Sequence, residues 1–137
     1  MRHDQLRACL NALETVKLLE ERMTVLESRL TRATAILSGM PGGGRRRDTI
    51  GEGVAAMDKL RGRWAEAAAD WAQRSAAAEE ALASLPADLR AVMRLRYIDG
   101  MTWAALSERL DRSERWCYVL HNRALARMKP EAEADAG

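Results

Sequence analysis

The stretch that decides the fold is TWAALSERLDRSERWCYVLHNRAL, residues 102–125, in which two helical patterns flank a short polar break. Thr102 stands where it can N-cap the first pattern, WAALSERL, and Ser113 stands where it can N-cap the second, ERWCYVLHNRALARM. Only residues 111–113 separate the two patterns. Because so short a connection forces two helices to cross steeply, the stretch predicts a helix-turn-helix.

The second helix of this motif has two chemically different faces. Apolar and small residues recur at helical spacing and predict a face turned toward the core: Cys117, Leu120, Ala124 and Met128. The outward residues near the helix start are charged, aromatic or amide-bearing, with one valine: Glu114, Arg115, Tyr118, Val119 and Asn122.

An exposed helix start with this chemistry is typical of a helix that reads base edges in DNA while its neighbours hold phosphates. We therefore predict that the five outward residues are the DNA base-reading residues. The predicted DNA phosphate contacts are Thr102, Arg112, Ser113, Arg123, Arg127 and Lys129. Ser113 would also cap the helix so that its positive end faces the polyanion.

A further helix is predicted ahead of this motif. Pro86 ends the preceding helix or begins the next one, and Asp99-Gly100 ends the pattern ADLRAVMRLRYI. Its apolar side is predicted as Leu89, Val92, Met93 and Leu95. Between residues 86 and 128 eight arginines stand against five acidic residues, a local positive balance that suits a polyanionic partner.

The first 85 residues predict an antiparallel helical hairpin that resembles a coiled coil. Two apolar seams with steps of three and four residues flank a Gly/Arg-rich segment, predicted as a flexible loop over residues 39–48. Thr49 and Glu52 have capping-box spacing for the second helix. Trp64 and Trp71 are large for a two-helix core. Either further helices cover them, from a second copy or from the C-terminal domain, or they fill the seam within the hairpin.

The composition favours an all-α protein. Of the 137 residues, 47% are hydrophobic and 31% charged, Phe is absent, and Ala, Leu, Glu and Arg predominate. The predicted domains are the hairpin (1–85), which we expect to form a homo-oligomer with a dimer favoured, the helix-turn-helix domain (86–129) and a disordered acidic tail (130–137).

Several classes of protein fit poorly. No phosphate loop, HExxH motif or nucleophile elbow is present, so we predict that the protein is not an enzyme and has no cofactor. His121 and Cys117 lie one turn apart, but two ligands do not make a metal site. Cys9 and Cys117 form no disulfide framework, and neither a membrane span nor a signal-peptide core is evident. These features predict a cytoplasmic protein without membrane contact.

The segment LPADLRAVMRLRYIDGMTWAALSERLDRSERWCYVLHNRALARM, residues 85–128, resembles region 4 of sigma-70-type transcription factors. The resemblance rests on L-P, the L-R-Y helix end, G-x-T, a small residue inside the first motif helix, the Ser before the recognition helix, and A-L near that helix's end. It implies that the recognition helix enters the major groove of a promoter −35 element, with contacts at Glu114, Arg115, Tyr118 and Val119. RNA polymerase is a further partner that the resemblance implies.

Together with RATAILSGMPGGG ahead of the second long helix, the chain is similar to phage and prophage sigma-like regulators akin to ArpU-type late-gene regulators. Two departures stand out: Asp111 occupies the turn position where sigma factors usually have Gly, and Tyr118 and Val119 replace the usual Arg and Gln of the reading face. A conventional −35 target should therefore not be assumed. The chain also has no room for the sigma regions that grip core polymerase and melt DNA.

We therefore predict a sequence-specific protein that binds double-stranded DNA and regulates phage or prophage transcription. One alternative is a DNA-packaging protein that resembles a small terminase subunit. Another is a helical protein-interaction module that does not bind DNA. Oligomer size distinguishes the first two, and salt-dependent DNA binding distinguishes both from the third.

Overall fold

The computed structural model describes residues 3–38 and 44–128. They form five α-helices, α1 (His3–Ser38), α2 (Gly44–Leu82), α3 (Ala87–Met93), α4 (Trp103–Leu110) and α5 (Glu114–Arg127). Since no strand occurs in these residues, the predicted all-α fold class is confirmed. None of the helices in the described ranges has the length and apolar character that crossing a membrane requires.

The connection between α1 and α2 is shorter than the sequence pattern predicts. α2 begins at Gly44, so residues 44–48 are helical, whereas the predicted loop covered 39–48 and the capping-box spacing placed the helix start at Thr49. Arg has a high helix propensity, and it outweighs the single glycine at the new start. The remainder of the predicted loop, 39–43, and the predicted tail, 130–137, lie outside the described residues.

Contacts along the chain define two compact units. The hairpin unit contains the described residues between Thr15 and Ala69, and the core unit contains those up to Glu14 and from Asp70 onward. The first turns of α1 and the last turns of α2 therefore belong with α3, α4 and α5. The functional division at residues 85 and 86 remains a prediction.

The core unit encloses one apolar cluster to which every helix contributes. Fourteen residues form it: Leu6, Cys9, Ala78, Leu82, Leu85, Leu89, Val92, Met93, Tyr97, Ile98, Leu106, Cys117, Leu120 and Ala124. Trp71 packs half-buried against this cluster. Because this cluster includes residues of α1 and α2 as well as of α3, α4 and α5, the alternatives for this tryptophan remain predictions.

In the hairpin unit, α1 and α2 run antiparallel. The indole nitrogen Nε1 of Trp64 donates to Oε1 of Glu20 at 3.1 Å, while Leu30 lies against Gly53, where an added Cβ would come within 2.5 Å of its Cδ2. As the residue number rises along α1, from Glu20 to Leu30, the residue number of the contacting position in α2 falls, from Trp64 to Gly53. Leu30 occupies space that only a glycine leaves open.

The helix ahead of the motif ends in a wide turn that the sequence did not reveal. α3 continues into a π-helical turn over Arg94–Ile98, where the amide of Asp99 donates to the carbonyl of Arg94 at 3.0 Å. A five-residue spacing places Tyr97 and Ile98 beneath Val92 and Met93, and all four are buried. Leu95, predicted on the apolar side, is only half-buried for this reason. Gly100, with φ of 73°, then ends the segment as predicted.

Candidate nucleic-acid interface

Both helix starts of the motif are capped as predicted. The hydroxyl oxygen of Thr102 accepts from the amide of Ala105 at 3.1 Å, and that of Ser113 accepts from the amide of Trp116 at 3.1 Å. Asp111 lies between them in the left-handed region, with φ of 53°. This geometry turns the chain sharply, and residues 102–127 form a helix-turn-helix.

The turn is held from both sides. The amide of Arg112 donates to the carbonyl of Ser107 at 3.1 Å, and the Ser107 hydroxyl donates to the carbonyl of Arg112. Because these bonds join the end of α4 to the residue just before the cap of α5, they limit rotation of one helix against the other. The Ser107 side chain thus stabilises the turn through its hydrogen bond.

α5 separates its two faces as predicted. Cys117, Leu120 and Ala124 are buried, and Met128 is half-buried. His121 also points inward and is 6% exposed, which the spacing of apolar residues did not indicate. The helix is therefore anchored along nearly its whole length.

The predicted base-reading residues lie on the opposite side of α5. All five side chains are exposed: Glu114, Arg115, Tyr118, Val119 and Asn122. Arg115 and Asn122 are seven residues apart and so share one line along the helix. Since Ala124 of the core lies roughly opposite that line, both residues lie on the side of α5 that faces away from the core.

Tyr118 of this face is held in place by aromatic stacking. Its ring stacks on Trp103 of α4, with centroids 4.1 Å apart and planes inclined at 24°. The guanidinium of Arg96 lies 4.9 Å above the same indole, and its Nη1 donates to the carbonyl of Met101 at 2.8 Å. The stack holds the tyrosine ring in place while leaving Tyr118 as a residue 45% exposed.

Five of the six predicted phosphate contacts are exposed, namely Thr102, Arg112, Ser113, Arg123 and Arg127. Because each capping bond uses only an acceptor lone pair, the hydroxyl protons of Thr102 and Ser113 remain able to donate to a phosphate. The guanidinium of Arg112 rests 5.1 Å from the centroid of Trp116, and Arg123 and Arg127 are exposed. The site residue predicted at Lys129 lies outside the described residues.

The cationic side chains of this surface keep their charge uncompensated. Within residues 3–38 and 44–128, none of the guanidinium groups at positions 112, 115, 123 and 127 forms an ion pair. Exposed arginines without carboxylate partners attract phosphate without first having to break a salt bridge.

A hydrogen-bonded cluster behind α5 was not predicted from the sequence. Oη of Tyr97 lies 2.8 Å from Nε2 of His3 and 2.6 Å from Nε2 of His121. Nδ1 of His121 lies 3.3 Å from Oδ1 of Asn122, one of the predicted base-reading residues. Trp103 closes the cluster edge-on, 5.0 Å from the His121 ring.

Burial governs the protonation of this cluster. Desolvation lowers the pKa of His121, the hydrogen bond that its ring donates to the Asn122 amide oxygen partly opposes this, and electrostatic interactions with His3 and Arg96 add to the lowering. Desolvation likewise raises the pKa of the Tyr97 hydroxyl. At neutral pH the buried pair of Tyr97 and His121 is therefore uncharged.

The cysteine and histidine that lie one turn apart do not meet at a common ligand position. Cys117 is buried, and desolvation raises the pKa of its thiol. His121 has hydrogen-bond partners at both ring nitrogens. Among the residues that the structure describes, no group of three or more His, Cys, Asp and Glu side chains is placed to hold a metal ion.

The comparison with protein families agrees with this geometry. Residues 75–128, less than half of the chain, match the model of the family described as Sigma-70, region 4. This segment is a sigma-70 region 4-like domain that comprises the end of α2 and all of α3, α4 and α5. Such domains bind DNA and RNA polymerase and are not catalytic, so the match indicates a DNA-binding helix-turn-helix of the kind used in transcription. No curated protein and no solved structure significantly matches the chain.

Proposed function

We propose that the sigma-70 region 4-like domain of residues 75–128 binds duplex DNA sequence-specifically through α5, and that the chain regulates transcription in a phage or prophage. The observation that carries the proposal is the exposed line of Arg115 and Asn122 on a helix whose opposite side is fully anchored. A rigid helix with exposed polar side chains is what direct reading of base edges requires.

The proposed division of labour follows from side-chain chemistry. Arg115 presents a planar group suited to the O6 and N7 atoms of guanine, and Val119 offers an apolar contact for a thymine methyl group. Tyr118, held by Trp103, contributes a fixed ring edge, and Glu114 can accept from a cytosine amino group. Arg112, Arg123 and Arg127, with the hydroxyls of Thr102 and Ser113, hold the flanking phosphates.

A dimer would present two copies of α5 to paired half-sites one or more helical turns apart. The hairpin unit supports this part of the proposal, since four large apolar side chains there are about half exposed: Leu18, Val25, Ile36 and Val54. Contact with RNA polymerase is proposed from the family resemblance. Sedimentation of the full chain tests the assembly, because a dimer supports paired half-sites whereas a large ring favours the packaging alternative.

The direct test uses duplexes selected by the full chain from a random library. Fluorescence anisotropy then compares the selected duplex with a scrambled one at several salt concentrations. We expect Arg115→Ala to weaken binding of the selected duplex by about tenfold to a hundredfold while changing the scrambled duplex little. Arg123→Ala should weaken both duplexes and reduce the salt slope by about one unit.

Arg63→Ala provides the matched control, because Arg63 is an exposed arginine of the hairpin unit outside the matched domain. It should leave both affinities and the salt slope unchanged. Selection of no duplex even at low salt would refute the proposal and leave the protein-interaction alternative. Equal losses for Arg63→Ala and Arg115→Ala would refute the assignment of α5 as the reading helix.

A further inference from the structure

The hydrogen bonds behind α5 have one consistent direction. Oδ1 of Asn122 can only accept, so Nδ1 of His121 carries the proton at the 3.3 Å contact. In the neutral ring Nε2 then has no proton, and the Tyr97 hydroxyl must donate to it across 2.6 Å. The same hydroxyl oxygen accepts from Nε2–H of His3 across 2.8 Å.

We infer that this chain of donors, His3 to Tyr97 to His121, positions Asn122 as a hydrogen-bond donor toward DNA and thereby helps to set base preference. The inference rests on the proposed function, since it concerns how that reading face recognises bases. Tyr97 and His121 act as positioning residues, because both are buried and reach the face only through Asn122. Asn122 itself is exposed and makes the contact.

The chemistry follows from which end of the amide is engaged. The bond from His121 draws the amide oxygen toward the protein, so the NH₂ group is the part left to point outward. An unrestrained asparagine pairs with adenine through both amide ends, accepting from N6 and donating to N7. With its oxygen held, Asn122 favours bases that present acceptors alone, namely the O6 and N7 of guanine or the O4 of thymine.

These linked hydrogen bonds also make the start of α1 part of the proposed base recognition. His3 is the first residue that the structure describes, and it stands 94 positions from Tyr97 in sequence. Tyr97 lies buried in the π-helical turn, and its hydroxyl reaches His121 of α5. Loss of either link frees the His121 ring to change tautomer and the Asn122 amide to turn over.

The first test needs no DNA. The sequence contains only two histidines, so ¹⁵N NMR of the full chain can assign His121 directly with His3→Ala as the reference. We expect His121 to be protonated at Nδ1 and unprotonated at Nε2, two states with widely separated nitrogen shifts. Tyr97→Phe should shift the tautomer equilibrium and the Asn122 side-chain NH₂ signals. Tyr118→Phe, which removes the hydroxyl of the other tyrosine, should change neither.

An Nδ1 without a proton in the wild-type chain would overturn the inference. So would a Tyr97→Phe spectrum in which the His121 and Asn122 signals stay unchanged. Because Tyr97 is buried, its substitution can impair folding, and the exposed His3 supplies the second variant. His3→Gln, which retains a donor, should preserve the wild-type Asn122 signals, whereas His3→Ala should shift them. Identical Asn122 signals in these two variants would contradict a role for the hydrogen bond from His3 to Tyr97.

The second test uses the selected duplex and its single-base variants. Tyr97→Phe should reduce discrimination at one base position by roughly threefold to tenfold, the value of one neutral hydrogen bond, while binding of scrambled DNA stays unchanged. Asn122→Ala should abolish preference at the same position. Uniform weakening across all duplexes would identify a phosphate contact and overturn the reading role. If the wild type selects no DNA, the proposed function fails. The NMR test still decides whether the hydrogen bonds from His3 through Tyr97 and His121 to Asn122 are formed.

Discussion

The hairpin unit and the core unit are both helical, yet they bury their apolar residues to very different extents. In the hairpin unit three residues are buried, Val16, Leu19 and Met57, whereas the core unit encloses a cluster of fourteen. Two helices can cover only the seam between them, while five helical segments can surround a common centre. A sequence that forms long helices therefore does not necessarily enclose a large apolar core.

The difference has an energetic consequence. A helix pair with a narrow seam depends on backbone hydrogen bonds and helix propensity, and these are marginal without tertiary burial. The core unit gains from each fully enclosed side chain, since interiors are close-packed and a missing methyl group leaves a void. The effects of substitutions on the free energy of unfolding should accordingly differ between the two units, both in magnitude and in physical cause.

The largest expected effect compares two leucines. Leu106→Ala removes a side chain that is 0% exposed and should lower the free energy of unfolding by about 2–5 kcal/mol through lost burial and a residual cavity. At protein concentrations low enough to keep the chain monomeric, Leu18→Ala, at a position that is 48% exposed, should change it by less than about 0.5 kcal/mol. Urea denaturation followed by circular dichroism measures both. A large effect at Leu18 would indicate that a partner covers the hairpin unit in solution.

Acidification should act on the core unit through His121. Because the pKa of this histidine is lowered in the folded state, the unfolded chain binds more protons as pH falls below the ordinary value of 6.5. Stability that is present above pH 6.5 should therefore decline as pH falls toward the folded-state pKa. Urea denaturation between pH 8 and pH 5 measures the slope, and His121→Gln should flatten it. An identical slope in that variant would contradict the assignment.

A smaller effect is expected from glycines inside α2 of the hairpin unit. Gly62 has nothing within 4 Å of the position where a Cβ would lie, so Gly62→Ala should stabilise the unit by about 0.5–1 kcal/mol through helix propensity. Gly53→Ala should gain less, since Leu30 must move. Hydrogen exchange resolved by residue reports each unit separately. If Gly62→Ala also slowed hydrogen exchange throughout the core unit, the two units would not be independent in stability.

Surface ion pairs should matter least in either unit. Arg94 and Glu79 of the core unit lie 2.9 Å apart, and Arg61 and Asp58 of the hairpin unit lie 3.7 Å apart, all with largely exposed side chains. Double-mutant cycles should give coupling energies of about 0.2–1 kcal/mol that fall with added salt. A coupling above that range for Arg94 and Glu79 would mean that the pair is more than a surface contact.

The helix-turn-helix could be predicted well because its signals are local. Thr102 and Ser113 act within three residues of themselves, and the left-handed turn at Asp111 needs only a residue that tolerates it. The inward spacing from Cys117 to Ala124 repeats within one helix. Each of these features depends on neighbours in sequence, so the order of residue types is sufficient to indicate it.

The hydrogen-bonded cluster behind α5 could not be predicted in the same way. His3, Tyr97 and His121 have no common periodicity, and a lone histidine near a cysteine suggested only an incomplete metal site. The helix start was also missed at Gly44, where arginine propensity competes with glycine, and the π-helical turn was missed because it leaves no distinct residue pattern.

The sequence by itself determined the all-α class, the caps and crossing of α4 and α5, and the polar face that α5 carries, since all of these follow from short-range spacing. Only the tertiary structure decided that the first turns of α1 and the last turns of α2 join the core of the helix-turn-helix, and that His3 reaches Asn122 through Tyr97 and His121. Such contacts require segments far apart in the chain to pack around one centre, and local patterns do not specify which segments will meet.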